Sequence, residues 1–315
     1  MTDYLVVGHV TRDVTGGPGR PGGTVLYAGL LAARWDLKVG ILTSAELTWV
    51  EGAVFGQIPG LRAERTGISG EVYLYESRTG NVRWAVRPAA NTTTFENIYT
   101  PTGRRQRLLA RAESLSPEDL PVDWRPKILH LGPVAGEVAL TADWARVGPR
   151  FFGCTPQGWL RRFGPAGTVE NRWRPEVGRL LEIADGVVLS AEDLGPDLGL
   201  AGGLGRMARC LAVTWAEAGV DLWAAGRHYR VPAFVRPAAD PTGAGDVFAA
   251  AFFIRLAAGD EPLLAARIAA MAAALKVVRP GLDGVPTWES VEAELSLDLK
   301  SCRQVSRKGD SDARN

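Results

Sequence analysis

The sequence predicts a three-layer α/β/α domain built on a mainly parallel sheet, with a small β-lid, and three observations carry that prediction. An apolar run at residues 4–8 leads through a loop into a helical pattern at 25–35. After Pro126, apolar runs at 128–131, 186–189 and 211–214 alternate with helix-compatible stretches such as 174–183. Two long Ala-rich segments, 247–258 and 265–278, then close the domain. Strands alternating with helices are the pattern of a parallel sheet covered on both faces.

Taken in order, residues 4–8 have the continuous apolar character of a strand buried on both sides, and residues 16–23, crowded with Gly and Pro, require a loop after it. A strand pattern at 39–43 completes a β-loop-α-β unit. Residues 72–75 and 82–86 flank a turn at Thr79-Gly80-Asn81, and 95–99 and 105–109 flank one at Pro101-Thr102-Gly103. Their polar–apolar alternation suits a sheet with one wet face. These hairpins are therefore assigned to the lid, formed by residues 11–24 and 66–107; an antiparallel edge of the main sheet is the other arrangement they permit. Residues 221–224 and 228–231 read as a late hairpin. The domain spans 1–299, and the polar, aperiodic stretch 300–315 is expected to be a disordered tail.

Composition narrows the function. Hydrophobic residues make up 46% of the 315, enough to fill the core of one large domain. Thirty-six basic against 35 acidic side chains leave a net charge of +1, which offers nothing to nucleic acid or an anionic membrane. Cys154, Cys210 and Cys302 are odd in number and widely separated, the pattern of free cytosolic thiols rather than a disulfide framework or a zinc site. His9, His130 and His228 are as scattered and read as ordinary core or surface residues. Asp3 stands where a signal peptide needs cations, and charged residues interrupt both Ala-rich segments, so a soluble, cytoplasmic protein is expected.

The chemistry concentrates in Asp240-Pro241-Thr242-Gly243-Ala244-Gly245-Asp246, placed at the start of an Ala-rich helix. Small residues there let backbone N–H groups approach a ligand, and the helix dipole adds positive potential, which together suit a phosphate. A plain cap needs only one Ser, Thr, Asp or Asn, so it accounts for Asp246 but not for Gly243, Ala244 and Gly245 in succession. Asp246 falls in the first turn, where the dipole should keep it ionised and able to accept a hydroxyl proton as a phosphoryl group moves.

This segment resembles the signature of the ribokinase-like (PfkB) family of sugar and nucleoside kinases, D-x-T-G-A-G-D with an aromatic residue soon after, which Asp240 to Phe248 match. The resemblance implies a ribokinase-like core, Asp246 as catalytic base, and Gly243, Ala244 and Gly245 as an anion hole. It implies ATP and Mg²⁺ as cofactors, with Thr242, Gly243 and Gly245 on the nucleotide side. Asp240 would lie near the metal and a monovalent cation.

The opening unit extends the likeness. The family has G-x-x-x-x-D after the first strand and then a glycine pair, here Gly8 with Asp13, and Gly22 with Gly23. The resemblance assigns Asp13, Gly22 and Gly23 to substrate hydroxyls, which suits a carboxylate acceptor and glycines that admit a ring closely. Two degraded motifs lie between. Thr214 to Gly219 resembles a T-x-G-x-x-G nucleotide loop whose middle glycine is Ala216, leaving Thr214 and Gly219 as nucleotide contacts. Ser190 and Asp193 fall where N-x-x-E is usual, so Asp193 is the candidate for holding Mg²⁺ through water, unless the pair simply caps a helix.

Tyr27 and Thr11 replace the two Asn residues expected of a ribose-reading site, which argues against ribose. Tyr27 with His130-Leu131-Gly132-Pro133 is closer to the inositol-kinase-like branch. The acceptor is thus a small sugar or polyol, with Arg12, Arg83 and Arg105 as the cations that would meet a phosphorylated one. Oligomeric state is open; lid edges that pair between subunits would give a homodimer.

Two other classes compete. Residues 17–22 satisfy G-x-G-x-x-G, the mark of a nicotinamide-dependent oxidoreductase, but residues 10–16 intervene after the strand and two prolines remove donors. The other is a catalytically silent sugar-binding regulator on the kinase fold, against which the retained Asp246 argues. No GxxxxGK[ST] sequence occurs, which excludes a P-loop.

Overall fold

The computed structural model describes residues 2–298 apart from 16, 18, 59, 60, 101 and 102. The expected tail at 300–315 lies outside them, as does part of the turn at Pro101-Thr102-Gly103.

From the N-terminus, β1 (Thr2–Val7) leads to β2 (Thr11–Val14) and β3 (Arg20–Gly22), then α1 (Thr24–Arg34) and β4 (Val39–Ala45). Next come β5 (Ala63–Ser69), β6 (Val72–Ser77), β7 (Val82–Pro88), β8 (Thr93–Thr100) and β9 (Gly103–Ala110). The second half supplies β10 (Pro126–Leu131), β11 (Phe151–Cys154), a small hairpin of β12 (Arg161–Phe163) and β13 (Val169–Asn171), and α2 (Pro175–Ile183). It continues with β14 (Gly186–Ser190), α3 (Leu200–Met207), β15 (Cys210–Thr214), β16 (Val220–Ala224) and β17 (Arg227–Val231). Helices α4 (Ala244–Ala257) and α5 (Pro262–Lys276) follow.

Eleven strands form one sheet in the order β17-β16-β15-β14-β11-β10-β1-β4-β7-β6-β5. The run from β15 to β7 is parallel throughout, with antiparallel pairs at both edges. Because the central strands are buried on both faces, Leu5, Val6 and Val7 are alike inaccessible. One face packs on α1, α4 and α5 through Leu26, Leu30, Phe248, Phe252 and Met271. The other meets α2, α3 and the indoles of Trp124, Trp144 and Trp159. This is the three-layer α/β/α arrangement that the sequence predicts.

A separate four-stranded sheet, β3-β2-β8-β9, forms from part of the segments expected to make a lid. The expected lid insert at 66–107 is therefore corrected: only its second hairpin belongs there, and the first extends the main sheet. The reason is that β7 pairs in parallel with β4 from Val39↔Val82 to Ala45↔Pro88, which drives the Trp84 indole into the core. This second sheet is discontinuous in sequence, since β2 pairs in parallel with β8 across Thr11↔Thr93 to Val14↔Glu96. No helix among the described residues is long and apolar enough to cross a membrane.

Candidate active site

In open parallel sheets the carboxyl ends of the strands leave a crevice for ligands. The predicted polar residues follow those ends here: Asp13 after β1, Asp193 after β14, and Thr214 at the end of β15.

Opposite these ends α4 begins. Gly243 caps it at φ 80°, ψ 0°, a left-handed conformation that favours glycine, and the Val247 N–H donates to the Gly243 carbonyl at 2.9 Å. Gly245 is exposed, and a Cβ there would meet nothing within 4 Å, so the cradle opens onto free space. Residues 247–254 are buried, which anchors the rest of the helix and leaves its first turn to face the crevice.

Asp246 projects from that turn and takes a hydrogen bond from the Thr24 hydroxyl at the start of α1. Burial pushes its carboxyl up to about 6; the Thr24 hydroxyl and the Arg161 guanidinium oppose the rise, while Asp193 and Asp13 add to it. The helix start was expected to favour the ionised form; desolvation works against it and raises the carboxyl. The carboxyl stays mainly ionised at neutral pH.

Asp240 anchors the loop before α4. Burial would raise its carboxyl, but N–H donors from Gly281 at 2.8 Å and Thr242 at 2.9 Å, with the Thr242 side chain and Lys276, hold it below the usual range. Lys276, at the end of α5, is wholly buried; its Nζ donates to the Asp240 carbonyl at 3.0 Å and lies 3.9 Å from Oδ2. Burial lowers its pKa against the opposing pull of Asp240 and Asp246. Sequence reasoning missed Lys276, because a lysine in a last helical turn ordinarily serves the dipole from the surface.

On the lid side, the Thr11 hydroxyl donates to Asp13 Oδ1 at 3.0 Å, and a Cβ on Gly22 would come within 2.3 Å of Asp13 Oδ2. Gly23 has φ 96°, and a Cβ there would strike the His9 carbonyl at 2.4 Å. Gly22 thus packs closely on Asp13, and Gly23 on the backbone of residues 9–11. Tyr27 is buried, with 3% exposed, against Gly243. Burial, with Asp240, Asp246 and Asp13 nearby, raises its hydroxyl well above the usual tyrosine range.

Asp193 is buried beyond β14, where Oδ2 accepts from the Ser190 N–H at 2.8 Å and hydroxyl at 2.7 Å. Burial raises its carboxyl. Gln157 approaches the same group, yet Oδ1 has no hydrogen-bond partner. A buried carboxylate oxygen left open in this way fits a metal held through water. Direct ligation is another matter: no cluster of three or more metal-ligating side chains occurs among the described residues. Arg161 was not anticipated either; its charge reaches both Asp246 and Asp193, and it donates to the Val134 carbonyl at 2.7 Å.

In the degraded nucleotide loop, Ala216 takes φ 49°, the left-handed conformation that a glycine would adopt without strain. Gly219 is needed for packing, since a Cβ would lie 2.3 Å from the Val231 carbonyl. Arg12 pairs with Glu46 at 3.3 Å and stacks on Trp49, while Arg83 bonds Thr2 and Asp123, so both already have partners within the protein. His9 and His130 are core residues as expected: His9 bonds Thr93 and the Glu113 carbonyl, and His130 bridges Tyr4 and Thr155. Residues 20–22 form β3 against β2, so the G-x-G-x-x-G run does not make the strand-to-helix turn a dinucleotide requires.

In sequence and in fold the chain is similar to known kinases. Residues 202–288 match the pfkB family carbohydrate kinase. A ribokinase from Bacillus subtilis (strain 168) is 37% identical over 107 residues, which cover 34% of this chain and 36% of that protein. The chain thus matches about a third of the length of that curated relative. The fold is similar to a pyrophosphate-dependent kinase in the ribokinase family complexed with a pyrophosphate analog and myo-inositol: TM-score 0.73, 20% identity, 92% of this chain and 99% of that one. A nucleoside kinase from Methanocaldococcus jannaschii gives TM-score 0.70 at 15% identity, covering 94% and 98%. The Arabidopsis thaliana ribokinase complexed with ribose and ATP gives 0.64 at 16%, covering 93% and 98%. The family match is confined to residues 202–288, and the solved structures, at 20% identity or less, show that the chain as a whole has the ribokinase-like fold.

Proposed function

We propose that this protein is an ATP-dependent kinase that transfers the γ-phosphate to a hydroxyl of a small sugar or polyol. The observation that carries the reading is Asp246 on the first turn of α4, directly after the open Gly243-Ala244-Gly245 cradle and facing Asp13 of the lid.

Asp13 and Thr11, with Gly22 and Gly23, orient the acceptor through its hydroxyls, and Tyr27 holds the cradle from beneath. Asp246 aligns the attacking hydroxyl and takes its proton; the new oxygen–phosphorus bond forms as the bond to the bridging oxygen of the departing ADP breaks. N–H groups of the cradle stabilise the charge on the moving phosphoryl group, and Arg161 brings a cation toward the same place. Thr214, Gly219 and Thr242 line the nucleotide side. Asp193, and Asp240 as a further candidate, would hold Mg²⁺ through water, and Mg²⁺ would neutralise phosphate oxygens. Lid closure from the β3-β2-β8-β9 sheet excludes water from the transfer.

The inositol class is favoured among acceptors by Tyr27 and Thr11 together with the likeness to a kinase solved with myo-inositol. The same likeness motivates a second donor, inorganic pyrophosphate, which a loop lacking its middle glycine at Ala216 would admit without reading a base. A cytoplasmic enzyme, monomeric or paired through lid edges as a homodimer, fits this reading.

The test mixes purified protein with Mg²⁺ and either ATP or pyrophosphate against a panel of inositols, sugars, nucleosides and their phosphates, and follows phosphorylated product. Donor-dependent product with one acceptor class supports the proposal. Binding of a sugar with no turnover would favour the silent regulator, and a nicotinamide absorbance change would favour the oxidoreductase.

A further inference from the structure

We propose that the Lys276 ammonium is the resident cation of the Asp240 loop, occupying the place of a monovalent metal ion and freeing the protein from any need for one. The family resemblance implies such an ion beside Asp240, and the residues present do not fit it. The Asp240 carbonyl oxygen already accepts from Lys276 Nζ at 3.0 Å, and the ammonium lies 3.9 Å from Oδ2. A free cation would have to share two oxygens with a positive charge already seated there.

Lysine is almost never fully buried without compensation, because an unpaired ammonium in the interior costs several kcal/mol. Here Lys276 has no exposed surface, yet it has a carbonyl, a carboxylate and the Tyr27 ring, whose centroid is 5.6 Å from Nζ. Its stem has a fitted channel as well: Gly284 lies so close that a Cβ would come within 3.2 Å of Lys276 Cδ and 2.3 Å of its carbonyl. A lysine that merely served the helix dipole would lie outward instead.

The consequence is positional. Lys276 fixes the carbonyl of Asp240, whose carboxylate holds the N–H groups of Thr242 and Gly281, and Thr242 directly precedes the Gly243 cap. The ammonium thereby sets the loop that presents Asp246, without touching substrate. Lys276 is a positioning residue.

The full-length protein is tested in potassium, ammonium, sodium and tetramethylammonium chloride at equal ionic strength, reading the thermal unfolding midpoint and the phosphotransfer rate. Wild type is expected to give one midpoint and one rate in all four. Lys276→Ala leaves a hole beside the Asp240 carbonyl. It is expected to lose turnover about 100-fold, with acceptor KM little changed, and to regain rate and midpoint in ammonium or potassium but not in tetramethylammonium. A wild-type rate or midpoint that rises saturably with potassium would overturn the proposal, as would an alanine variant that behaves like wild type or that no small cation restores. Should that variant fail to fold in every salt, the wild-type comparison decides alone. Only the rate readings rest on the kinase reading; if no acceptor is phosphorylated, that reading fails and the unfolding midpoints still judge Lys276.

Discussion

The ring of Tyr27, in the first turn of α1, lies against the α-carbon of Gly243, the cap of α4, so closely that a Cβ at Gly243 would fall 2.3 Å from Tyr27 Cδ1. The helix that follows the Gly22-Gly23 pair and the helix that carries Asp246 are thus locked to each other at their starting turns. Gly243→Ala meets two penalties, a left-handed backbone costing about 1–2 kcal/mol and displacement of a buried ring. Its unfolding midpoint should fall by several degrees, and turnover by about 100-fold through misplacement of Asp246. Calorimetry and initial rates check both; unaltered values would show that the contact is slack.

Asp246→Asn keeps the side-chain shape and removes the base. Turnover should fall by about 10²–10⁴-fold, with the circular dichroism spectrum unchanged. Rates near wild type would remove Asp246 from the proposed role.

The raised carboxyl of Asp246 also sets a pH dependence. Burial lifts it from the ordinary 3.8 to about 6, so between those values the folded protein binds the extra proton. Stability from the protonated form is complete below 3.8 and is lost as pH rises through about 6. Activity runs the other way, because the base must be ionised: kcat/KM, which reports the free protein, should fall as pH drops below about 6 with the slope of one proton. In Asp246→Asn the stability slope between pH 4 and 7 should flatten, as seen in urea titrations across the range.

Gly22→Ala would press a methyl group onto Asp13 Oδ2 and Thr11 Oγ1, at 2.3 and 2.8 Å before relaxation. If Asp13 orients the acceptor, acceptor KM should rise about tenfold or more, with donor KM unaffected, since the clash is confined to the lid side. Equal effects on both substrates would separate Asp13 from acceptor binding.

Ala216 holds φ 49° in the loop between β15 and β16. Ala216→Gly relieves that strain and should raise stability by about 0.5–1 kcal/mol. If a nucleotide lies along this loop, the variant should also lower the KM for ATP relative to pyrophosphate. Steady-state kinetics with both donors decides.

The sequence by itself determined what neighbouring residues determine: the β-loop-α-β opening, the alternation that demands a parallel sheet, and the small residues that open α4 beside Asp246. These rest on local backbone preference and hydrophobic period, which a short window contains. Tertiary structure decided the rest. Residues 82–88 look like a one-sided hairpin in sequence, yet their parallel pairing with β4 makes them part of the main sheet, and no local signal distinguishes the two. Tyr27 becomes a wedge only because α1 and α4 pack together, and Lys276 becomes an internal cation only because α5 ends beneath a loop 36 residues away. The rise of the Asp246 carboxyl has the same origin: local helix geometry favours its charge, and the long-range assembly of surrounding side chains removes the water that would stabilise it.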